Sequence, residues 1–119
     1  EPLMPSPLAA ILIGAVGGII VVYGTKLLFS LKIDDVVGAV PAHLFAGIWG
    51  TLIVPATNTG TSFSTQLIGV LAVNLFVFIV SFIIWSIMKS TVGLRLSKEG
   101  ETKGTDVTET GVIAYAIRD

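Results

Sequence analysis

Apolar residues in this chain fall into three long continuous blocks separated by short polar punctuation. Leu8–Leu31 is interrupted by one charge, Lys26; Val36–Val54 holds His43 as its single ionisable group; Leu67–Met88 holds none. About 20 apolar residues in an α-helix cross the roughly 30 Å hydrocarbon core of a bilayer, so each block predicts a membrane-spanning helix. Between the second and third lies PATNTGTSFSTQ, 55–66, which is small, polar and uncharged and reads as a loop. The expected fold class is an all-α membrane protein. A transmembrane region of three helices over 1–93, with spans at about 8–31, 36–54 and 67–88, is followed by a polar tail over 94–119.

Composition sharpens this picture. Of all residues 53% are hydrophobic and 13% charged, against about 25% charged in soluble domains. Nine of the fifteen Asp, Glu, Lys and Arg residues lie in 94–119. Lys26 and Lys32 flank the first junction and Lys89, Arg95 and Lys98 follow the third block, whereas 1–7 and 55–66 carry no Lys or Arg. Cytoplasmic flanks hold the basic excess, which puts the N-terminus outside, the LKIDD turn inside, the 55–66 loop outside and the tail inside. The opening EPLMPSP lacks the basic n-region of a signal peptide, and the first block is too long for an h-region. Position 1 is Glu rather than Met, and the expectation is a fragment of a longer chain. A net charge of −1 with no basic run argues against a nucleic-acid partner. With no cysteine and one histidine, neither a metal site nor a cofactor is expected.

Small residues mark faces where helices approach closely. Ala10, Gly14 and Gly18 form such a stripe in the first block, and Gly38, Ala42, Ala46 and Gly50 in the second. The third block is crowded with Phe, Ile, Leu and Val and reads as a peripheral, lipid-facing helix. Asp34 and Asp35 stand just before the second block, where carboxylates cap free N–H groups and oppose the helix dipole. Trp49, Trp85 and Tyr23 lie near predicted span ends and suit an interfacial belt.

His43 is the singular feature. An ionisable group in hydrocarbon is expensive and faces a bundle interior or a water-filled path; histidine is the cheapest because it can stay neutral while offering one donor and one acceptor. Gly47, one turn on, leaves space beside the ring, and Pro41 removes a backbone N–H just before it. A packed histidine bonding a neighbouring helix and a histidine lining a transport path both remain open on these grounds. No Ser/His/Asp set, phosphate loop or metal-ligand spacing is present, so an enzyme is not expected.

Two stretches resemble the ammonium transporter family. The run LKIDDVVGAVPAHLFAGIWGTL, 31–52, is similar to its tenth transmembrane helix through Asp34, Asp35, Gly38, Ala39, His43, Gly47, Ile48, Trp49, Gly50 and Thr51. The run GLRLSKEGETKGTDVTETGVIAY, 93–115, looks like its cytoplasmic ending. Val36 replaces a usual proline, Leu44 a glycine, Ala46 a frequent cysteine and Thr110 a histidine. The resemblance implies helices nine to eleven of an eleven-helix inverted-repeat transporter fold in the plasma (inner) membrane, multi-pass, as a homotrimer. The implied function is ammonium or ammonia transport, by a carboxy-terminal fragment inactive without the remaining helices. It makes His43 one of two pore histidines. Gly38, Ala42, Ala46, Gly47 and Gly50 would be pore-helix packing positions. Gly93, Arg95, Gly104, Asp106, Gly111 and Tyr115 would be tail positions contacting other subunits or a PII-type signalling protein. The competing reading is a membrane-anchored regulatory module whose tail binds a signalling partner.

Overall fold

The structure, a computed structural model, describes residues 5–114. It divides into two compact units, Glu1–Val77 and Phe78–Asp119. The described residues are all helical or irregular, with no strand among them.

The first helix, α1, runs from Pro7 to Ser30. Ser6 caps it, its Oγ accepting from the Ala9 N–H at 3.3 Å, and Pro7 occupies the first helical position, where its missing N–H would have had no partner. The helix stops in a Schellman arrangement. Lys32 takes a left-handed φ of 57°, its N–H donates to Phe29 O and the Ile33 N–H to Leu28 O, both at 3.0 Å. A non-glycine residue in that conformation costs about 1–2 kcal/mol, offset by two carbonyls satisfied in an apolar stretch. Lys26, the one charge in this block, lies 5.5 Å from the centre of the Tyr23 ring, a cation–π contact within its own helix.

The second block departs from the expected single span. Its helical run covers Val40–Ala56, shorter than the two long helices, and is composite: a π-helical segment Val40–Phe45, then α2 (Ala46–Leu52), then a 3₁₀ turn Val54–Ala56. Val36 and Val37 are exposed in the preceding turn. The delay has a local cause. Asp35 accepts from the N–H groups of Ala39 at 2.9 Å and Val40 at 2.8 Å, and Gly38 adopts φ 67°, so helical dihedrals begin only after it. An apolar run counts residues and is blind to this backbone reversal. In the π segment the Ala46 N–H reaches Pro41 O, five residues back.

The third helix, α3, spans Phe63–Thr91. Ser62 accepts from the Thr65 N–H at 3.2 Å and bonds the Thr65 hydroxyl at 2.7 Å. Its 29 residues make a rod of about 43 Å. With α1 it is long and apolar enough to cross a membrane. Burial points the same way, since Leu28 is the one large hydrophobic in the core of the described residues and side chains such as Phe29, Phe76 and Phe78 are exposed. In water each would forfeit about 1.5–3 kcal/mol.

Within the second unit, two short helices, α4 (Lys98–Lys103) and α5 (Thr105–Thr110), follow α3. Glycines with positive φ mark the joints: Gly93 at 86° after α3, Gly104 at 99° between α4 and α5, and Gly111 at 70° after α5. No Cβ tolerates the middle one easily, because it would stand 2.7 Å from Asp106 Oδ1.

Removing the carboxylate in Asp35→Ala is expected to cost the start of the second helix about 1 kcal/mol. Amide exchange in detergent micelles reads it directly: Ala39 and Val40 lose protection while the centre of α1 does not. Unaltered protection at both amides would show that the helix starts without the carboxylate.

Candidate functional site

The second helix presents two faces with different surroundings. Pro41, Phe45 and Trp49, one turn apart, meet α1. Pro41 is fully buried, Phe45 lies over Gly24, and the Trp49 indole N–H donates to Ile13 O at 3.0 Å. The other face carries His43, Leu44, Gly47, Ile48 and Thr51, and looks across an open cleft of about 440 Å³ to Gly69, Val70, Val73 and Asn74 of α3.

Polar groups on this cleft are few. Thr51 turns its hydroxyl to Gly47 O at 2.9 Å, and Asn74 donates its amide to Val70 O at 2.7 Å. The hydroxyl proton of Thr51 and one amide N–H of Asn74 are thereby spent on their own helices, leaving the second Asn74 N–H, its carbonyl, the Thr51 oxygen as an acceptor and the imidazole to meet a solute. The His43 side chain is exposed to the cleft and makes no hydrogen bond to the described residues. A neutral imidazole can accept from one N–H and donate to one lone pair, which suits a small hydrogen-bonding solute in an apolar passage. Gly47 keeps that space open: a Cβ there would meet nothing within 4 Å.

Of the small residues expected at helix contacts, Gly38, Gly47 and Gly50 touch nothing a Cβ would meet, and Ala42 is exposed with Ala46 half-buried. Gly38 serves the helix start through its φ. Gly14 and Gly18 likewise face open space, and the glycines that meet the second helix are Gly17 and Gly24. These two, seven residues apart, lie two full turns along one face of α1. The capping expected of the aspartate pair falls to Asp35 alone; Asp34 is exposed and makes no bond to the described residues. Trp49, read as interfacial, is a tie between helices. Asn74 is a further polar residue on the cleft, and an amide inside an apolar block is itself its signal in the sequence.

The tail positions form a local structure. Arg95 pairs with Glu101 at 2.9 Å and Lys103 with Glu99 at 3.4 Å, both exposed. Ser97 caps α4 through the Gly100 N–H at 3.1 Å. Thr108 joins the helices by donating its hydroxyl to Gly100 O at 3.2 Å. Asp106 accepts from the Ala114 N–H at 2.8 Å; that bond and one from Val107 hold its carboxyl below its ordinary 3.8. Tyr115 lies outside the described residues.

Apolar helices of membrane length, with a histidine facing an open cleft, define an all-helical membrane protein. Its kinship is specific: residues 3–115 match the model of the Ammonium Transporter Family, and the chain belongs to that family. It is 42% identical over 105 residues to the Synechocystis sp. protein sll1017, covering 87% of this chain and 24% of that one. It is 36% identical over 110 residues to Ammonium transporter Amt1 of Haloferax mediterranei, covering 88% and 21%, and 30% identical over 129 residues to Ammonium transporter Amt2 of Archaeoglobus fulgidus, covering 92% and 28%. The chain therefore spans about a quarter of the length of the curated relatives it matches. No solved structure matches it.

Because the folded Asp106 carboxyl titrates below its unfolded counterpart, its contribution to the tail is fully present above pH 3.8 and is lost as pH falls through the lowered value. Protection of the Ala114 amide is expected to fall in acid below that range, and in Asp106→Ala already at neutral pH. Equal protection in the variant and the parent at neutral pH would remove the carboxylate from the tail's support.

Proposed function

We propose that this chain forms one wall of an ammonium-conducting path, with His43 as the group that contacts the passing solute. One observation carries the reading: the single ionisable residue of the second helix faces the open cleft rather than the packed α1 interface. Family membership supplies the substrate class. Ammonia offers a lone pair and N–H groups, and ammonium four N–H donors; a neutral imidazole can complement either one.

The finer reading follows the family resemblance. The three apolar blocks are helices nine to eleven of an eleven-helix subunit of a homotrimer, and helices beyond these 119 residues close the path and bring the second histidine. The 119 residues alone do not conduct. Gly38, Ala42, Ala46, Gly47 and Gly50 face those other helices. Residues 93–115 lie on the cytoplasmic side, where Gly93, Arg95, Gly104, Asp106, Gly111 and Tyr115 shape a surface for a neighbouring subunit or a PII-type signalling protein. The basic residues flanking the first junction and following α3 support this orientation in the plasma (inner) membrane.

His43→Leu in the complete transporter is expected to lower ammonium flux about tenfold or more, the size of a lost hydrogen bond to a charged solute, with the protein still in the membrane. Flux assays alongside quantification of membrane protein check this. Normal ammonium flux in the variant would return His43 to a packing role.

Orientation has its own test in the complete transporter, made free of other cysteines; these 119 residues contain none. Single cysteines within 57–62 should react with an impermeant thiol reagent added outside intact cells, and those within 102–110 should react only after lysis. The reverse pattern would overturn the topology.

A further inference from the structure

The roll of the second helix is set from the side opposite His43. On α1, a Cβ built at Gly24 would lie 2.6 Å from Phe45 Cδ2, 3.1 Å from Phe45 Cε2 and 3.2 Å from Pro41 Cβ, so glycine there leaves a notch that the Phe45 ring fills. Two turns back along α1, Gly17 lies against Trp49, whose Cδ1 a Cβ there would meet at 3.8 Å. The indole N–H reaches Ile13 O at 3.0 Å. One contact is steric and the other a directional hydrogen bond, and they act at two levels of the same face. Together they oppose both rotation and sliding.

His43 stands two residues from Pro41 and two from Phe45, roughly half a turn around the helix. We propose that Gly24, Phe45 and Trp49 are positioning residues for His43: the notch and the indole bond hold the helix at the roll that points the imidazole into the cleft. This rests on the transport reading of His43. A roll of about 20° would carry a group at the roughly 5–6 Å helix radius through about 2 Å, enough to break a hydrogen bond to a solute.

The test compares Gly24→Ala, Trp49→Phe and the double variant Gly24→Ala with Phe45→Leu in the complete transporter, with His43→Leu alongside. Two quantities are read: protein in the membrane, and the ratio of ammonium to methylammonium flux, which a purely structural loss leaves unaltered. Gly24→Ala and Trp49→Phe are each expected to change the ratio about fivefold, as for one misplaced hydrogen bond. Phe45→Leu, by restoring clearance, returns the Gly24→Ala ratio toward the parent's. If Gly24→Ala fails to accumulate, Trp49→Phe, which keeps the aromatic ring, decides by itself. An unaltered ratio in the positioning variants, with a changed ratio in His43→Leu, overturns the proposal. An unaltered ratio in His43→Leu as well overturns the transport reading beneath it.

Discussion

In hydrocarbon a backbone N–H or C=O without a partner costs several kcal/mol, and much of the form of this chain follows from meeting that demand where its long helices start and stop. Ser6 and Pro7 start α1, the Lys32 reversal returns two N–H groups to its last carbonyls, Asp35 starts the second helix, Ser62 supports the start of α3, and Gly93 follows its end. The caps also explain why breaks occur where they do. The second helix begins after Gly38 because a carboxylate immediately outside the apolar block holds its first donors.

Lipid tails are as apolar as leucine, so burying apolar surface supplies little force between helices there; close backbone approach and interhelical hydrogen bonds do the work. That is the character of the contact between α1 and the second helix. Leu28 and Pro41 are buried, Gly24 admits a phenylalanine ring, and one indole hydrogen bond ties the pair. With one face committed to α1, the opposite face is left to the cleft, and the single histidine is on it. Packing and function are thus two sides of one helix.

The tail obeys different physics. Its ion pairs are exposed, and such pairs contribute about 0–1 kcal/mol, so its shape depends more on local geometry. Gly104 and Gly111 take conformations other residues avoid, Ser97 and Asp106 hold backbone N–H groups, and Thr108 ties α5 to α4. A structure built from short-range contacts can form or loosen at small cost, which suits a segment proposed to dock on other subunits.

Much of this was legible in one dimension. Block length and composition point to helices long and apolar enough to cross a membrane, as α1 and α3 are, because the hydrocarbon thickness is a fixed ruler. The 31–52 and 93–115 runs carried the family resemblance, and the family match covers residues 3–115. The contact with the second helix falls on a face of α1 that the small-residue stripe does not mark. Ala10, Gly14 and Gly18 repeat more conspicuously than Gly17 and Gly24, and periodicity ranks faces by regularity without knowing which side a partner occupies. Trp49 and the aspartate pair share that ambiguity: an indole near a span end suits water or a carbonyl equally, and either of two adjacent carboxylates can cap. The sequence by itself determined that the first and third blocks are helices of membrane length, since this depends on local chemistry and on length. Only the tertiary structure decided which glycines are notches and which way His43 faces, because each depends on the rotation of one helix against another.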